Sequence, residues 1–75
     1  MPTDAASAMA LARKNFAYLG EAVDYAHLTK LKDGATGFIH SLVIAGWIGA
    51  DERQQLENEL DEAVEARKRA LTAGK

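Results

Sequence analysis

The chain contains no cysteine, one proline and only five aromatic residues among 75. Without cysteine it can form neither a disulfide nor a thiolate zinc site, so a domain of this length must gain stability from helix packing or from a partner chain. The missing cysteine also fits a reducing compartment, and the opening residues lack the basic start and apolar run of a signal peptide. We therefore expect a single cytoplasmic domain.

Long apolar runs and a surplus of basic charge are absent as well. The longest apolar run, 42–50, is interrupted by glycine and falls far short of the roughly 20 residues that a membrane-spanning helix needs, so we expect a soluble protein without membrane contact. The net charge of −2 argues against the broad phosphate attraction behind non-specific nucleic-acid binding. Direct DNA binding is therefore not expected.

The charges that are present are segregated. Residues 51–65 hold seven acids and one base, a net charge of −6, whereas the last ten residues carry four bases and no acid. Acids near the start of a helix and bases near its end complement the helix dipole. Most of this asymmetry thus has a purely structural explanation.

The spacing of glycine and proline predicts an all-α fold, a three-helix hairpin-like bundle with helices over about 3–32, 36–48 and 50–72. Thr3 is the expected N-cap of the first helix, with Asp4 in its first turn, and Gly34 is the expected left-handed cap at its end. Gly20 is the weak point of that helix, because glycine in a helix interior costs about 1 kcal/mol relative to alanine, and a kink or break there is the alternative.

Two rows of apolar residues run along the first helix. One is a seam with alternating spacings of three and four, the pattern with which two helices pack together. The other, Leu11, Tyr18 and Tyr25, recurs every seven residues to one side of that seam. The seam consists of Met9, Ala12, Phe16, Leu19, Val23 and Ala26.

The middle segment, 36–48, has no charged residue and predicts a helix that is enclosed on all sides. A three-helix chain of this size has too little partner surface to cover both this segment and the first helix, so we expect a two-fold homodimer. The residues that we expect at its interface are Met9, Phe16, Leu19, Val23, Phe38, Leu42 and Trp47.

The third helix begins with a capping pattern, in which Gly49 is the N-cap and Glu52 the third helical residue. Its apolar stripe is narrow, and Arg67 lies on it as the expected rim residue. We also expect an ion pair between Glu65 and Arg69, four residues apart.

Catalytic and metal-binding patterns are weak. His40 and Ser41 are adjacent, and adjacent helical residues point about 100° apart, so they do not form a nucleophile and base. A metal ion could be bound by His27, His40 and Asp24. The spacing of these residues, however, matches no recognised metal-ligand motif. We expect no enzyme activity, no cofactor and no metal.

Nucleic-acid patterns are weak too. The stretch KDGATGF lacks the spacing of a phosphate-binding loop, and the preceding strand is missing. A helix-turn-helix reading would place the acidic third helix against DNA phosphates. The basic residues Arg67 to Arg69 could touch a phosphate, although three charges at a helix end more often complement the dipole.

In size and alanine-rich helical character the chain resembles small accessory proteins of bacteria and their phages, which bind and modulate a larger protein. We therefore expect a non-enzymatic homodimer that binds another protein and inhibits or adapts it. The alternative is a nucleic-acid-linked regulator, with a phosphate-mimicking acidic face or a basic helix end in contact with DNA. The candidate partner-binding residues are Tyr18, Tyr25, Glu57, Asp61, Glu62 and Glu65.

Overall fold

The computed structural model describes residues 4–73, and within them the chain is all-helical, as predicted. Helix α1 spans Ala5–Ala17, a 3-10 turn spans Tyr18–Glu21, α2 spans Tyr25–Ile44 and α3 spans Ala50–Ala73. The short connection between α2 and α3 makes them antiparallel neighbours, and α1 packs against both. None of the helices in this range is both long and apolar enough to span a membrane.

The N-cap of α1 lies one residue later than predicted. Asp4 has extended backbone angles, and its carboxylate accepts the Ser7 N–H at 2.7 Å, so Asp4 is the N-cap and not a first-turn residue. This hydrogen bond lowers the pKa of the Asp4 carboxyl. The predicted cap, Thr3, lies outside the described residues.

The prediction of one first helix over 3–32 is wrong, because the helix is interrupted around Gly20. The α-helix ends at Ala17, Gly20 lies in the 3-10 turn, and Ala22 is extended. Asp24 then caps a new helix, since its carboxylate accepts the His27 N–H at 2.7 Å.

The predicted boundary at Gly34 is also wrong, and so is the separate helix over 36–48. Gly34 lies inside α2, which continues to Ile44 because its buried stripe runs on past the glycine. The left-handed cap is Gly46, with φ of 78°. The Gly46 N–H bonds the Val43 carbonyl and the Trp47 N–H bonds the Leu42 carbonyl, both at 3.0 Å, which is a Schellman motif.

We expect Gly46→Ala to lower the free energy of unfolding by about 1–2 kcal/mol, because a Cβ is disfavoured at positive φ. Gly46→Asn is the matched control and should lose less, since asparagine tolerates this conformation better. Urea denaturation followed by circular dichroism measures both. Equal losses for the two variants would contradict the backbone explanation.

Helix α3 confirms the prediction over 50–72 to within one residue at its described end. The Gly49 N–H donates to the Glu52 carboxylate at 2.7 Å, as the capping pattern predicts.

One apolar core joins the three helices. Leu19, Leu28, Ile39 and Leu56 are its largest fully buried side chains. The middle segment is not enclosed as predicted, because only one side of it reaches this core: Ile39 and Leu42 are buried, whereas His40 and Ile44 face solvent. The full set of buried residues is Ala8, Met9, Ala12, Phe16, Leu19, Ala22, Leu28, Ala35, Ile39, Leu42, Ile48, Leu56, Leu60 and Val64.

Candidate functional site

Three large hydrophobic residues are exposed at the corner between α1 and α2. Tyr18, Val23 and Tyr25 are 56, 75 and 48% exposed, and they are three of the five large exposed hydrophobic residues among those described. The break after Ala17 separates the two tyrosines, so they do not form the single helical row that the sequence predicts. Both nevertheless lie at this corner, as parts of one short segment. We call Tyr18, Val23 and Tyr25 the corner patch.

The backbone of the corner is attached to α3 by Arg67. Its guanidinium donates two hydrogen bonds, of 3.0 and 2.7 Å, to the carbonyl of Ala22. Ala22 itself is fully buried, and its extended backbone leaves this carbonyl outside the helical hydrogen-bond pattern. Arg67 therefore provides hydrogen-bond donors for the Ala22 carbonyl, which has no helical partner because the helix is interrupted here.

Two further hydrogen bonds hold the same segment. The Tyr25 hydroxyl is hydrogen-bonded to the Thr72 hydroxyl on α3. The Val23 N–H donates to Nδ1 of His27 at 3.2 Å, while the His27 N–H is bound by the Asp24 cap. The residues of the corner are thus fixed both to α3 and to the first turn of α2.

Much of the predicted acidic face of α3 is occupied by ion pairs. Glu59 forms a two-pronged pair with Arg13 of α1, both contacts at 2.8 Å. Glu57 pairs with Arg53 at 3.2 Å, and Glu65 pairs with Lys68 at 3.3 Å in place of the predicted Arg69.

The Arg13–Glu59 pair connects α1 to α3 and shifts the pKa values of both groups. The hydrogen bonds from Arg13 lower the pKa of the Glu59 carboxyl, and those to Glu59 raise the pKa of Arg13. Five carboxylates make up the acidic face: Glu57, Glu59, Asp61, Glu62 and Glu65. Of these, Asp61 and Glu62 are exposed and outside the ion pairs of the described residues. As a continuous recognition strip, the acidic face is therefore much reduced.

The polar groups considered for catalysis lie on the surface. His40 is exposed and lines an open groove of about 370 Å³ between α2 and α3, together with Asp33, Thr36, Arg53 and Glu57. The Ser41 hydroxyl donates to the Gly37 carbonyl at 3.0 Å, within its own helix. His40 is thus not the hydrogen-bonded core histidine that a buried segment would require.

The residues considered for a metal ion do not come together. His27 and His40 are thirteen residues apart on the same helix, which is roughly 20 Å along its axis. Residues 4–73 contain no group of three side chains placed to hold a metal ion.

The residues predicted for a dimer interface differ in burial and do not form one exposed surface. Met9, Phe16, Leu19 and Leu42 fill the core of the single chain, Phe38 and Trp47 are half-buried against it, and Val23 is exposed. The side of α2 away from the core carries mostly small residues, together with Lys30 and Ile44, and we call it the outer face of α2. Its members are Ala26, Lys30, Gly34, Gly37, Ser41 and Ile44, all exposed.

In comparisons with protein-family models, with curated proteins and with solved structures, nothing matches this chain.

Proposed function

We propose that the protein acts without catalysis, as a homodimer that binds a larger protein and modulates it. The observation that carries this proposal is the outer face of α2, which carries small residues and Ile44 and is not covered by any element of the described chain. Ile44 is the large hydrophobic side chain of this face and is 72% exposed.

The glycines of the outer face support close approach by another backbone. A Cβ on Gly34 or on Gly37 would meet nothing within 4 Å, so packing inside the chain does not require either glycine. Each nevertheless costs about 1 kcal/mol relative to alanine in a helix interior. Close contact with a second helix is a reason to retain them, since small residues let two helix backbones approach closely.

The occupant that we propose is a second copy of this chain. Helix α2 has 20 residues and is about 30 Å long, so two copies packed along their outer faces would share a contact several helical turns in length. Such a contact would bury Ile44. It would also give a small domain additional apolar burial.

Charge favours an antiparallel pair of α2 helices. Parallel pairing would place Lys30 opposite Lys30 and Asp33 near Asp33, and such like-charge contacts are destabilising. An antiparallel two-fold pair separates these charges and sets Ile44 opposite Ala26 of the second copy.

We expect Ile44→Glu to convert a dimer of about twice 8.1 kDa into a monomer that keeps its helical circular-dichroism signal. The side chain is exposed in the single chain, so the new carboxylate disturbs only an intermolecular contact. Light scattering at micromolar concentration gives the mass. Val23→Glu, at an equally exposed position outside the outer face of α2, is the control and should remain dimeric. A wild-type mass near 8.1 kDa would contradict the homodimer.

Partner binding is tested separately, by affinity capture with the wild-type dimer, with and without nuclease. A protein that is retained after nuclease treatment supports the proposed function. Capture that depends on nucleic acid would favour the alternative regulator instead, in which the exposed Asp61 and Glu62 imitate phosphate or the basic end of α3 contacts DNA.

A further inference from the structure

We infer that residues 22–24 form a hinge at which two copies of the chain exchange α1. In the exchanged form α1, the 3-10 turn and α2 become one continuous helix, and α1 packs against α2 and α3 of the second copy. Exchange of an identical element between protomers is a low-cost route to a dimer. This inference goes beyond the proposed function, because the exchange needs no contact between the outer faces of α2.

The hinge is only three residues long. The 3-10 turn before it already has helical backbone angles, and Ala22 combines a helical φ of −62° with an extended ψ of 130°. Rotation about a few backbone bonds of 22–24 therefore converts the corner into a helix. A continuous helix cannot fold α1 back onto its own α2, so α1 must then be covered by a second copy.

The apolar pattern of the sequence runs through the hinge without a change of register. Phe16, Leu19, Val23 and Ala26 follow steps of three, four and three, the spacing of one helix face. In the single chain Phe16 and Leu19 are buried, whereas Val23 and Ala26 are exposed. Gly20 does not require the bend either, since its φ is not positive and a Cβ on it would meet nothing within 4 Å.

The contacts of α1 are the same in both forms. Its buried residues pack into a core supplied by α2 and α3, and its Arg13 pairs with Glu59 of α3. All of these contacts can be made with a second copy. The Ala22 carbonyl, bound by Arg67 in the single chain, would accept the Ala26 N–H in a continuous helix. Exchange therefore leaves this carbonyl hydrogen-bonded.

The N-cap of α2 belongs to the unexchanged form alone. The Asp24 carboxylate accepts the His27 N–H, which in a continuous helix would bond the Val23 carbonyl instead. Asp24→Ala therefore removes a hydrogen bond from the unexchanged form only. Asp4→Ala is the matched control, because Asp4 caps α1 with an equally short hydrogen bond of 2.7 Å and does so in both forms.

Light scattering after refolding at high protein concentration tests the hinge. Both substitutions are made in the Ile44→Glu chain, so that the result does not depend on the homodimer proposed above. We expect Asp24→Ala to lower the dissociation constant of the dimer roughly a hundredfold, since each of two chains loses a cap and gains a better helix former. Asp4→Ala should leave it unchanged. A helical Asp24→Ala protein that stays near 8.1 kDa would overturn the inference.

Two further variants complete this test. Val23→Pro added to Asp24→Ala should restore the monomer, because proline disrupts a continuous helix while the extended Ala22 suits a residue before proline. A dimer that persists with Val23→Pro would contradict exchange at this hinge. If Asp24→Ala does not fold, Gly20→Ala takes its place, since it favours a helix through the corner without removing a contact.

A mixture of two variants then identifies the contact that joins the copies. Arg13→Glu and Glu59→Arg, each added to the dimeric hinge variant, place like charges between α1 and α3 when kept separate. Refolded together, they can form an exchanged heterodimer in which both contacts again pair opposite charges. We expect the urea midpoint of the mixture to exceed that of either variant alone. A midpoint no higher than that of the more stable variant would rule out the exchange, even if a dimer formed through another surface.

Discussion

Replacing Leu56 with alanine should lower the free energy of unfolding by about 2–5 kcal/mol, the largest stability effect that we expect from a single truncation in this chain. Leu56 is fully buried on α3, the helix that packs against both α1 and α2. Its removal leaves a cavity in the single core of a small domain, whose total stability is of the order of 4–11 kcal/mol at this length. Urea denaturation at a fixed protein concentration measures the loss.

Leu11→Ala provides the matched control for this experiment. Leu11 is on α1 and partly exposed, so the same truncation removes less buried area and should cost less than about 1 kcal/mol. Similar losses for Leu56→Ala and Leu11→Ala would mean that the core is not centred on α3.

The helical class and α3 could be predicted from the sequence because their signals are local. The Gly49 N-cap, Glu52 three residues later and the spacing of Leu56, Leu60 and Val64 all lie within a few turns of one helix. The predicted end of the first helix at Gly34 is wrong because a local helix-end signal there competes with burial of the residues that follow. An aspartate followed by glycine at Asp33 is typical of a helix end, but burial of Ala35, Ile39 and Leu42 outweighs the cost of Gly34.

The candidate site could be predicted only in part, for a similar reason. The exposure of Tyr18 and Tyr25 agrees with their position beside the apolar seam, although the chain break changes how they are arranged. The role of Arg67 could not be predicted, because its partner is a backbone carbonyl 45 residues away. A side chain on an apolar stripe indicates a rim position, but no periodic pattern identifies which distant carbonyl needs a donor.

Arg67→Met should therefore have the second large effect, and it tests the attachment of the corner to α3. Methionine retains an unbranched stem that packs on the same stripe but donates no hydrogen bond to Ala22. Hydrogen bonds from a charged donor contribute about 1.5–3 kcal/mol to stability. Without the guanidinium, the carbonyl of the buried Ala22 loses both of these hydrogen bonds, so we expect the free energy of unfolding to fall by an amount in that range.

The distinguishing result for Arg67→Met is where the protein opens. Hydrogen exchange should accelerate at the amides of 18–25 much more than at those of α3 around Leu56, because the corner loses its attachment to α3 while the core stays filled. Arg67→Lys is the conservative control and should restore only part of the protection, since a single ammonium group cannot reproduce the planar fork of the guanidinium. Uniform acceleration along the whole chain would mean that Arg67 acts on global stability and not on the corner.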